Sequence, residues 1–372
     1  MKVKNFNKKI LEEYKGNLSL TRFPKLKQWI DGTDSPTLKQ LSKVADALHI
    51  PFGYFFLDTM PERKIPIPNY RTKKDIFLMP SVDLIETIEF VQQQQNWVKD
   101  ILELWGHEKL GFAGKYNIGS PKNLVVGELR IILGLENGWA RSIPNWNQAL
   151  KELIVRSEKA GIFVVVNGVV GNDTHRQLQV EEFRGFVLYD PVAPFIFINN
   201  NDAISGKIFT IVHELIHIII GKSGSFDLEK FQACDDDIEQ FCNKCAAEFL
   251  VPEQDLLKEL KNKRNIENQD VEDLAKVFKV SSLVIIRRLL DISVINQDDF
   301  YNFYDKYLQT ERKKHSKGVG GNFYATEILR LNKKFLEIVK AGVDEGVILH
   351  RDAYKITNLK ASTFHKLMVR VT

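Results

Sequence analysis

The chain contains 372 residues, of which 44% are apolar and 27% are charged, and its formal net charge is +4. This composition excludes a disordered or fibrous protein, and so small a positive charge does not by itself indicate nucleic-acid binding. No apolar run is long enough to span a membrane, the first residues lack a signal-peptide core, and three cysteines are an odd number for a disulfide framework. We therefore expect a cytoplasmic protein of two or three domains without membrane contact.

Residues 1–57 are predicted to form a small helical unit. One helix ends at Gly32, and another begins after Pro36. The string at 29–51 resembles the Xre-type helix-turn-helix domain. Because hardly any room for both early helices remains between Ile10 and this string, we expect a shortened unit that docks or dimerises rather than reading DNA.

Residues 58–72 are predicted to be an extended linker because they contain three prolines, which prevent helix formation. The next segment, residues 73–256, begins with three helical patterns. These are expected from Ser81 to about Trp105, from Ser120-Pro121 to about Leu133, and from Asn145 to Gly161.

After the third helical pattern the sequence predicts β-strands, because runs of β-branched and aromatic residues replace the helical patterns. The expected strands are 162–166, 183–189 and 195–199. A buried helix over 209–220 follows directly, and residues 221–225 are expected to be a loop. This order predicts an α+β fold, mainly helical, with a small mixed β-sheet beside the helix at 209–220.

That helix contains the pattern H-E-x-x-H at His213, Glu214 and His217. Residues four apart lie one above the other on a helix, so the two imidazoles point at the same spot. The opposite face is predicted to pack into the core and carries Ile208, Ile211, Leu215 and Ile218. Two histidine ligands, an open coordination position and a carboxylate that takes a proton from water form a zincin-like site. We therefore predict His213 and His217 as Zn²⁺ ligands and Glu214 as the general base.

The third ligand is expected from a helix over 238–251, which carries two candidate carboxylates, Glu239 and Glu248. On a helical wheel Glu239 shares a stripe with Asn243, whereas Glu248 points to the opposite side. Two alanines near the Glu239 side let this helix pack closely against the H-E-x-x-H helix. We predict Glu239 as the metal ligand and Asn243 as a hydrogen-bond partner of a ligand.

Cys242 and Cys245 form a C-x-x-C pattern, which can bind zinc or carry out redox chemistry. Those uses need a helix N-terminus or a second pair of ligands, and neither is visible in the sequence. We therefore interpret both cysteines as small buried side chains. Tyr189 and His315 are the two candidates for stabilising the oxyanion of a hydrolytic reaction.

Residues 257–311 are predicted to form a helix-turn-helix-like unit. Its second helix carries Arg287 and Arg288, and a basic face of this size is expected to give at most weak, salt-sensitive DNA affinity. A basic, glycine-containing linker at 312–321 and a mainly helical unit at 322–372 follow.

Several segments together resemble the ImmA/IrrE family of zinc metallopeptidases. They are residues 71–72, 194–199, 209–217, 239–252 and 273–289, and the likeness extends over most of residues 20–295. The resemblance implies Zn²⁺ held by His213, His217 and Glu239, with Glu214 as the general base. Members of the family cleave transcriptional repressors. Ile216 stands where many members have glycine, a difference that should leave the chemistry unchanged.

The sequence thus predicts a zinc endopeptidase of narrow specificity whose partner is a protein substrate, a repressor with its own helix-turn-helix domain. Residues 195–199 are expected to be an edge strand to which an extended substrate adds, with specificity supplied by the terminal units. The alternative is a DNA-binding transcriptional regulator, or an antitoxin-like partner, in which the metal site only holds the fold. Metal content together with turnover of a Glu214 variant distinguishes these functions.

Overall fold

The computed structural model describes residues 2–13, 23–48, 50–57, 80–226, 237–260, 266–311 and 323–370. The linkers expected at 58–72 and 312–321 lie outside these ranges. The described residues form two compact units, one made of 2–57 with 80–88 and the other of 89–370. None of the described helices is both long and apolar enough to cross a membrane.

The first unit contains helices α1 (Lys8–Glu13), α2 (Leu26–Asp31) and α3 (Leu38–Leu48), followed by a 3-10 helix at Phe52–Phe56. Helix α2 ends at Gly32, whose φ of +76° is a left-handed conformation that glycine adopts at little cost. The core of the unit consists of buried aliphatic and aromatic side chains, among them Ile10, Leu11, Trp29, Leu41, Val44 and Phe55. The unit is helical as expected, and its helix-turn-helix role stays a prediction.

Three helices precede the sheet in the chain: α4 (Val82–Leu104), α5 (Lys122–Leu133) and α6 (Trp146–Lys159). Their bounds agree closely with those predicted from the sequence. At the start of α6, the side chain of Asn145 accepts a hydrogen bond from the backbone N–H of Gln148 at 3.0 Å. This cap satisfies one of the backbone donors that a helix leaves unpaired at its first turn.

The strands in chain order are β1 (Phe163–Asn167), β2 (Val169–Val170), β3 (Asp173–Gln177), β4 (Gly185–Leu188), β5 (Phe195–Asn199) and β6 (Gly224–Phe226). Four of them form a mixed sheet in the order β1-β5-β4-β6, while β2 and β3 pair with each other. Strand β5 is parallel to β1 and antiparallel to β4, and β4 is antiparallel to β6. The fold is therefore α+β, mainly helical with a small mixed sheet.

Two expectations about the sheet are wrong. Strand β5 is not an edge strand, because it pairs with β1 on one side and with β4 on the other. The stretch 221–225 is not wholly a loop, because its last residues belong to β6. Short runs of glycine and serine carry no alternating pattern, so only the pairing with a distant strand reveals β6 as a strand.

Helix α7 (Ile204–Ile219) contacts β4, β5 and β6 and also packs against α6 and α8 (Asp237–Leu250). Every residue of α7 from Lys207 to Ile219 is buried. The helical wheel predicted a core on one side of this helix only. Neighbouring elements cover the second side as well, so the two histidines lie in the interior rather than on an open face.

Helices α9 (Glu253–Leu260), α10 (Asn268–Phe278), α11 (Ser282–Asp291) and α12 (Gln297–Glu311) follow α8. The side chains of Phe278 in α10 and Ile285 in α11 belong to the same hydrophobic core as Ile211 in α7. Arg288 is only 4% exposed, and its Nε donates a hydrogen bond to the backbone oxygen of Val251 at 3.0 Å. Arg288 is therefore not part of an exposed basic face.

The chain continues with α13 (Phe323–Leu331), α14 (Lys333–Asp344), α15 (His350–Thr357) and α16 (Ala361–Met368). Asn332, between α13 and α14, donates hydrogen bonds to the backbone oxygen of Val164 in β1 at 3.0 Å and to Glu158 Oε1 at 2.7 Å. These bonds tie the last helices to the sheet. The domain boundaries expected from the sequence stay a prediction.

Candidate metal centre

Helix α7 places His213, Glu214 and His217 in the protein interior, where none of them is more than 1% exposed. The centroids of the two imidazole rings are 4.9 Å apart, as expected for residues at i and i+4. Their Nε2 atoms are 3.1 Å apart. Burying three ionisable groups is unfavourable unless they are paired or bind an ion.

Helix α8 brings Glu239 to the histidine pair. Its Oε2 lies 3.2 Å from His213 Nε2, and its Oε1 lies 3.4 Å from His217 Nε2. In a tetrahedral zinc site with bonds of about 2.0–2.1 Å, neighbouring ligand atoms are about 3.3 Å apart. The Nε2–Nε2 distance and the distance from each Nε2 to a Glu239 oxygen are close to this value, so these three residues fit one metal ion. Among the described residues, no fourth ligand belongs to this group.

The electrostatics of the cluster suit a cation. Burial lowers the pKa of His213, and the nearby Glu239 and Asn243 raise it but offset only part of this effect. The neutral imidazole that results is the form that binds a metal ion. Burial alone raises the pKa of Glu239, but its hydrogen bonds with His213 and His217 outweigh burial and leave that pKa below the usual range. The cluster therefore combines a buried anion with a neutral nitrogen donor. The role of Asn243 as a hydrogen-bond partner of a ligand stays a prediction.

Glu248, the other glutamate of α8, faces a different part of the protein. Its Oε2 lies 2.9 Å from Lys122 Nζ, and it is also paired with the guanidinium group of Arg288. Burial raises the pKa of Glu248, while Lys122 and Arg288 together lower it to a value below its usual range. Two permanent cations balance this charge, so Glu248 needs no metal ion.

The C-x-x-C pair also lies apart from the metal chemistry. Cys242 and Cys245 are buried and form no disulfide. Burial raises the pKa of the Cys245 thiol to about 12, so this side chain is not a thiolate at neutral pH. Both residues belong to the hydrophobic core around α7 and α8, in agreement with their interpretation as small buried side chains.

Of the two candidates for stabilising the oxyanion, His315 lies outside the described residues. Tyr189 directly follows β4, and its hydroxyl group lies against Gly114 and Gly221. Its role in the reaction stays a prediction.

Sequence reasoning missed one residue at the centre, Gly224, the first residue of β6. It is buried, and its Cα lies directly against the imidazole ring of His217. In the sequence, Gly224 is only a glycine between two serines. The pairing of β6 with β4 is what places Gly224 beside the ring, and the sequence gives no signal for that pairing.

Comparison with known proteins adds to this geometry. Residues 158–290 match the family model described as the IrrE N-terminal-like domain, Peptidase_M78. The matched range includes all of α7 and α8, and with them the H-E-x-x-H pattern and Glu239. The match supports the resemblance to the ImmA/IrrE family and a function of the metallopeptidase type in this part of the chain.

A second match covers the end of the chain. Residues 331–370 match the model of a domain of unknown function, DUF8813. This range contains helices α14 to α16. No curated protein matches the chain.

Proposed function

We propose that this protein is a zinc-dependent endopeptidase of narrow specificity that cleaves a transcriptional repressor or a similar regulatory protein. The observation that carries the proposal is the convergence of three ligand residues next to Glu214 in the fold's interior. The Nε2 atoms of His213 and His217 are 3.1 Å apart and lie 3.2 and 3.4 Å from the two carboxylate oxygens of Glu239. Two imidazoles and one carboxylate are a donor set used by catalytic zinc sites. The family match at 158–290 supports the peptidase class.

Zinc bound at this centre would supply a Lewis acid that polarises the scissile carbonyl group. The packing of α7 against α8 holds His213, His217 and Glu239 in fixed positions. Glu214, next to His213 in the chain, acts as the general base. Its carboxylate accepts a proton from the attacking water as the new C–O bond forms, and then donates that proton to the amide nitrogen as the C–N bond breaks.

The edge expected at β5 is not available, and an extended substrate would instead dock on the side of β6 that has no partner among the described strands. Among the described strands, β6 has a partner on one side only, and it contacts α7. Main-chain hydrogen bonds to a strand edge give affinity with little dependence on side chains. Narrow specificity must therefore come from other parts of the chain. We assign it to residues 1–57 and to the helices after α8, which would recognise a folded partner such as a helix-turn-helix repressor.

We expect weak or no direct DNA binding by this chain. Arg288 is buried, and Arg287 Nε lies 3.0 Å from Asp291 Oδ1, so the charges of both arginines are engaged within the protein. Tight, sequence-specific binding in a mobility-shift titration at physiological salt would instead favour a DNA-binding regulator with a structural metal site.

The test is the substitution Glu214→Gln, because an amide has nearly the same shape as the carboxylate but does not accept the proton. The wild-type chain and the variant are expressed in the same cells, and new protein N-termini are mapped by mass spectrometry. Both proteins should retain one zinc ion, while cleavage by the variant should fall by about a hundredfold or more.

Two results would contradict the proposal. In one, the zinc-loaded variant generates the same N-termini at the wild-type rate, which would mean that Glu214 is not the base. In the other, the zinc-loaded wild-type chain generates no new N-termini, which would favour a structural role for the metal.

A further inference from the structure

After α7 ends, the chain turns back and joins the sheet as β6. The first residue of β6, Gly224, lies against the ring of His217. An ideal Cβ atom built on Gly224 would lie 2.6 Å from Cε1, 2.9 Å from Nδ1 and 3.0 Å from Nε2 of His217. Real Cβ atoms do not approach other heavy atoms to 2.6 Å. Gly224 therefore lies against the imidazole ring at a distance that only glycine permits.

Several bonds fix the backbone on the Gly224 side of this contact. Gly224 is in register with Val187 of β4. The preceding Ser223 accepts a hydrogen bond through its Oγ from the backbone N–H of Tyr189 at 3.0 Å, and the N–H of Lys222 donates to the backbone oxygen of His217 at 3.0 Å. If a side chain were added at position 224, the imidazole ring would move more readily than this backbone, because the ring turns about two side-chain torsions.

Within the part of the chain that the structure describes, the ring of His217 has no hydrogen bond that would orient it through Nδ1. A metal-binding histidine usually donates its second ring N–H to a carboxylate or a backbone oxygen, and that bond fixes the plane of the ring. His217 Nδ1 is buried, and no hydrogen-bond partner for it is found among the described residues. Among the described residues, packing therefore holds the plane of this ring, and Gly224 is part of that packing.

We propose that Gly224 is a positioning residue for His217: the bare backbone of β6 at this glycine holds the imidazole in the plane that directs Nε2 toward His213 Nε2 and Glu239. The proposal rests on the metal centre proposed above. The proposal gives β6 a second function: besides offering an edge for substrate docking, the strand would hold a metal ligand in position.

The first experiment needs no metal and measures the contact itself by a double-mutant cycle. The full-length apo chain is compared in four forms: wild type, Gly224→Ala, His217→Ala and the double variant. With His217 intact, Gly224→Ala should lower the midpoint of thermal unfolding by roughly 2–10 °C, as expected for an overpacked interior. In the His217→Ala background the same change should cost much less, because the ring that the new methyl group meets is gone.

The second experiment measures the metal centre. Zn²⁺ affinity and the visible absorption spectrum of the Co²⁺-substituted protein are recorded for the wild type and for Gly224→Ala. Zn²⁺ affinity should fall by about tenfold or more, and the Co²⁺ bands should shift because the position of Nε2 has changed. The matched control is Gly185→Ala in β4. A Cβ there would lie 2.5 Å from Thr210 Cγ2 and 2.7 Å from the backbone oxygen of Phe197, so it crowds the same sheet without reaching a histidine.

The proposal would be overturned if Gly224→Ala lowered the unfolding midpoint equally with and without His217. It would also be overturned if the Co²⁺ spectrum and the Zn²⁺ affinity of Gly224→Ala changed no more than those of Gly185→Ala. If Gly224→Ala does not fold, the double variant should still fold, because it lacks the ring that the new methyl group meets. A double variant that is also unfolded would show that glycine is required at position 224 for a reason other than His217, and would overturn the proposal. Failure of the wild-type chain to bind Zn²⁺ would instead contradict the proposed function, while the cycle on the apo protein would still report on the contact.

Discussion

The two glutamates of helix α8 lie in different surroundings. Glu239, near the start of the helix, faces the imidazoles of His213 and His217, and Glu248, near its end, faces Lys122 and Arg288. Both carboxylates have a pKa below the usual range, although burial alone would raise it. Both are therefore ionised at neutral pH, and they differ only in what balances the charge.

The balance at Glu248 is complete without any ligand, because Arg and Lys are cations over the whole physiological pH range. Among the described residues, the surroundings of Glu239 offer no such cation, since burial lowers the pKa of His213 and so favours its neutral form. A buried anion among neutral nitrogen donors is stable when a cation binds between them. This difference distinguishes a metal ligand from a structural ion pair on one helix.

The largest effect is expected from removing an imidazole. His213→Ala or His217→Ala should abolish stoichiometric zinc binding, because two remaining ligands do not hold a catalytic zinc ion. Zinc content after gel filtration in the presence of a weak chelator measures the effect. Full zinc content in either variant would place the metal somewhere else.

A smaller effect is expected at Glu239. Glu239→Gln keeps the shape of the side chain but removes its charge, so Zn²⁺ affinity should fall by about an order of magnitude or more. Competition titration with a zinc indicator gives the affinity. An unchanged affinity would mean that Glu239 is held by its hydrogen bonds to the histidines alone.

The matched change at the other end of the helix sharpens the comparison. Glu248→Gln should leave zinc affinity unchanged but reduce the free energy of unfolding by about 1–3 kcal/mol, since the buried Arg288 loses its carboxylate partner. Denaturant unfolding and the same zinc titration measure the two quantities. If Glu248→Gln weakened zinc binding more than Glu239→Gln, the roles of the two carboxylates would be reversed.

The smallest effect concerns a third carboxylate, Glu158, which is half-buried near the end of α6. Burial and the nearby charge of Glu337 raise its pKa to about 7. An acid whose pKa is higher in the folded state than in the unfolded state destabilises the fold as it ionises. Its contribution is therefore lost as the pH rises from about 4.5 to about 7. Glutamine does not ionise, so Glu158→Gln should remove this pH-dependent loss of stability. Between about pH 5 and pH 8, the thermal unfolding midpoint should therefore decrease by a few degrees less in the variant than in the wild type. Identical pH profiles would contradict the assignment.

The sequence predicted those parts of the centre that depend on local periodicity. The spacing of His213 and His217 placed both rings on one side of a helix, and the helical wheel of α8 separated Glu239 from Glu248. Each inference needed only residues within two or three turns of one helix. The same is true of the bounds of α4 to α6, which capping residues and helix-breaking residues mark in the chain.

The remaining features depend on contacts between distant segments, and the sequence does not reveal them. Strand β5 was expected at an edge, but β1 and β4 enclose it. Arg288 was expected on a basic face, but its side chain is buried and paired with Glu248. Gly224 carried no pattern at all, because its role follows from the pairing of β6 with β4 and from the ring that lies beneath it.

The central claim is that one metal ion is bound by His213, His217 and Glu239. X-ray absorption at the zinc edge of the wild-type protein in solution tests it most directly. We predict a first shell of nitrogen and oxygen only, at about 2.0–2.1 Å, with outer-shell scattering from two imidazole rings, and no zinc signal at this site in the His217→Ala protein. A sulfur shell at about 2.3 Å would assign the zinc to cysteine and contradict the claim.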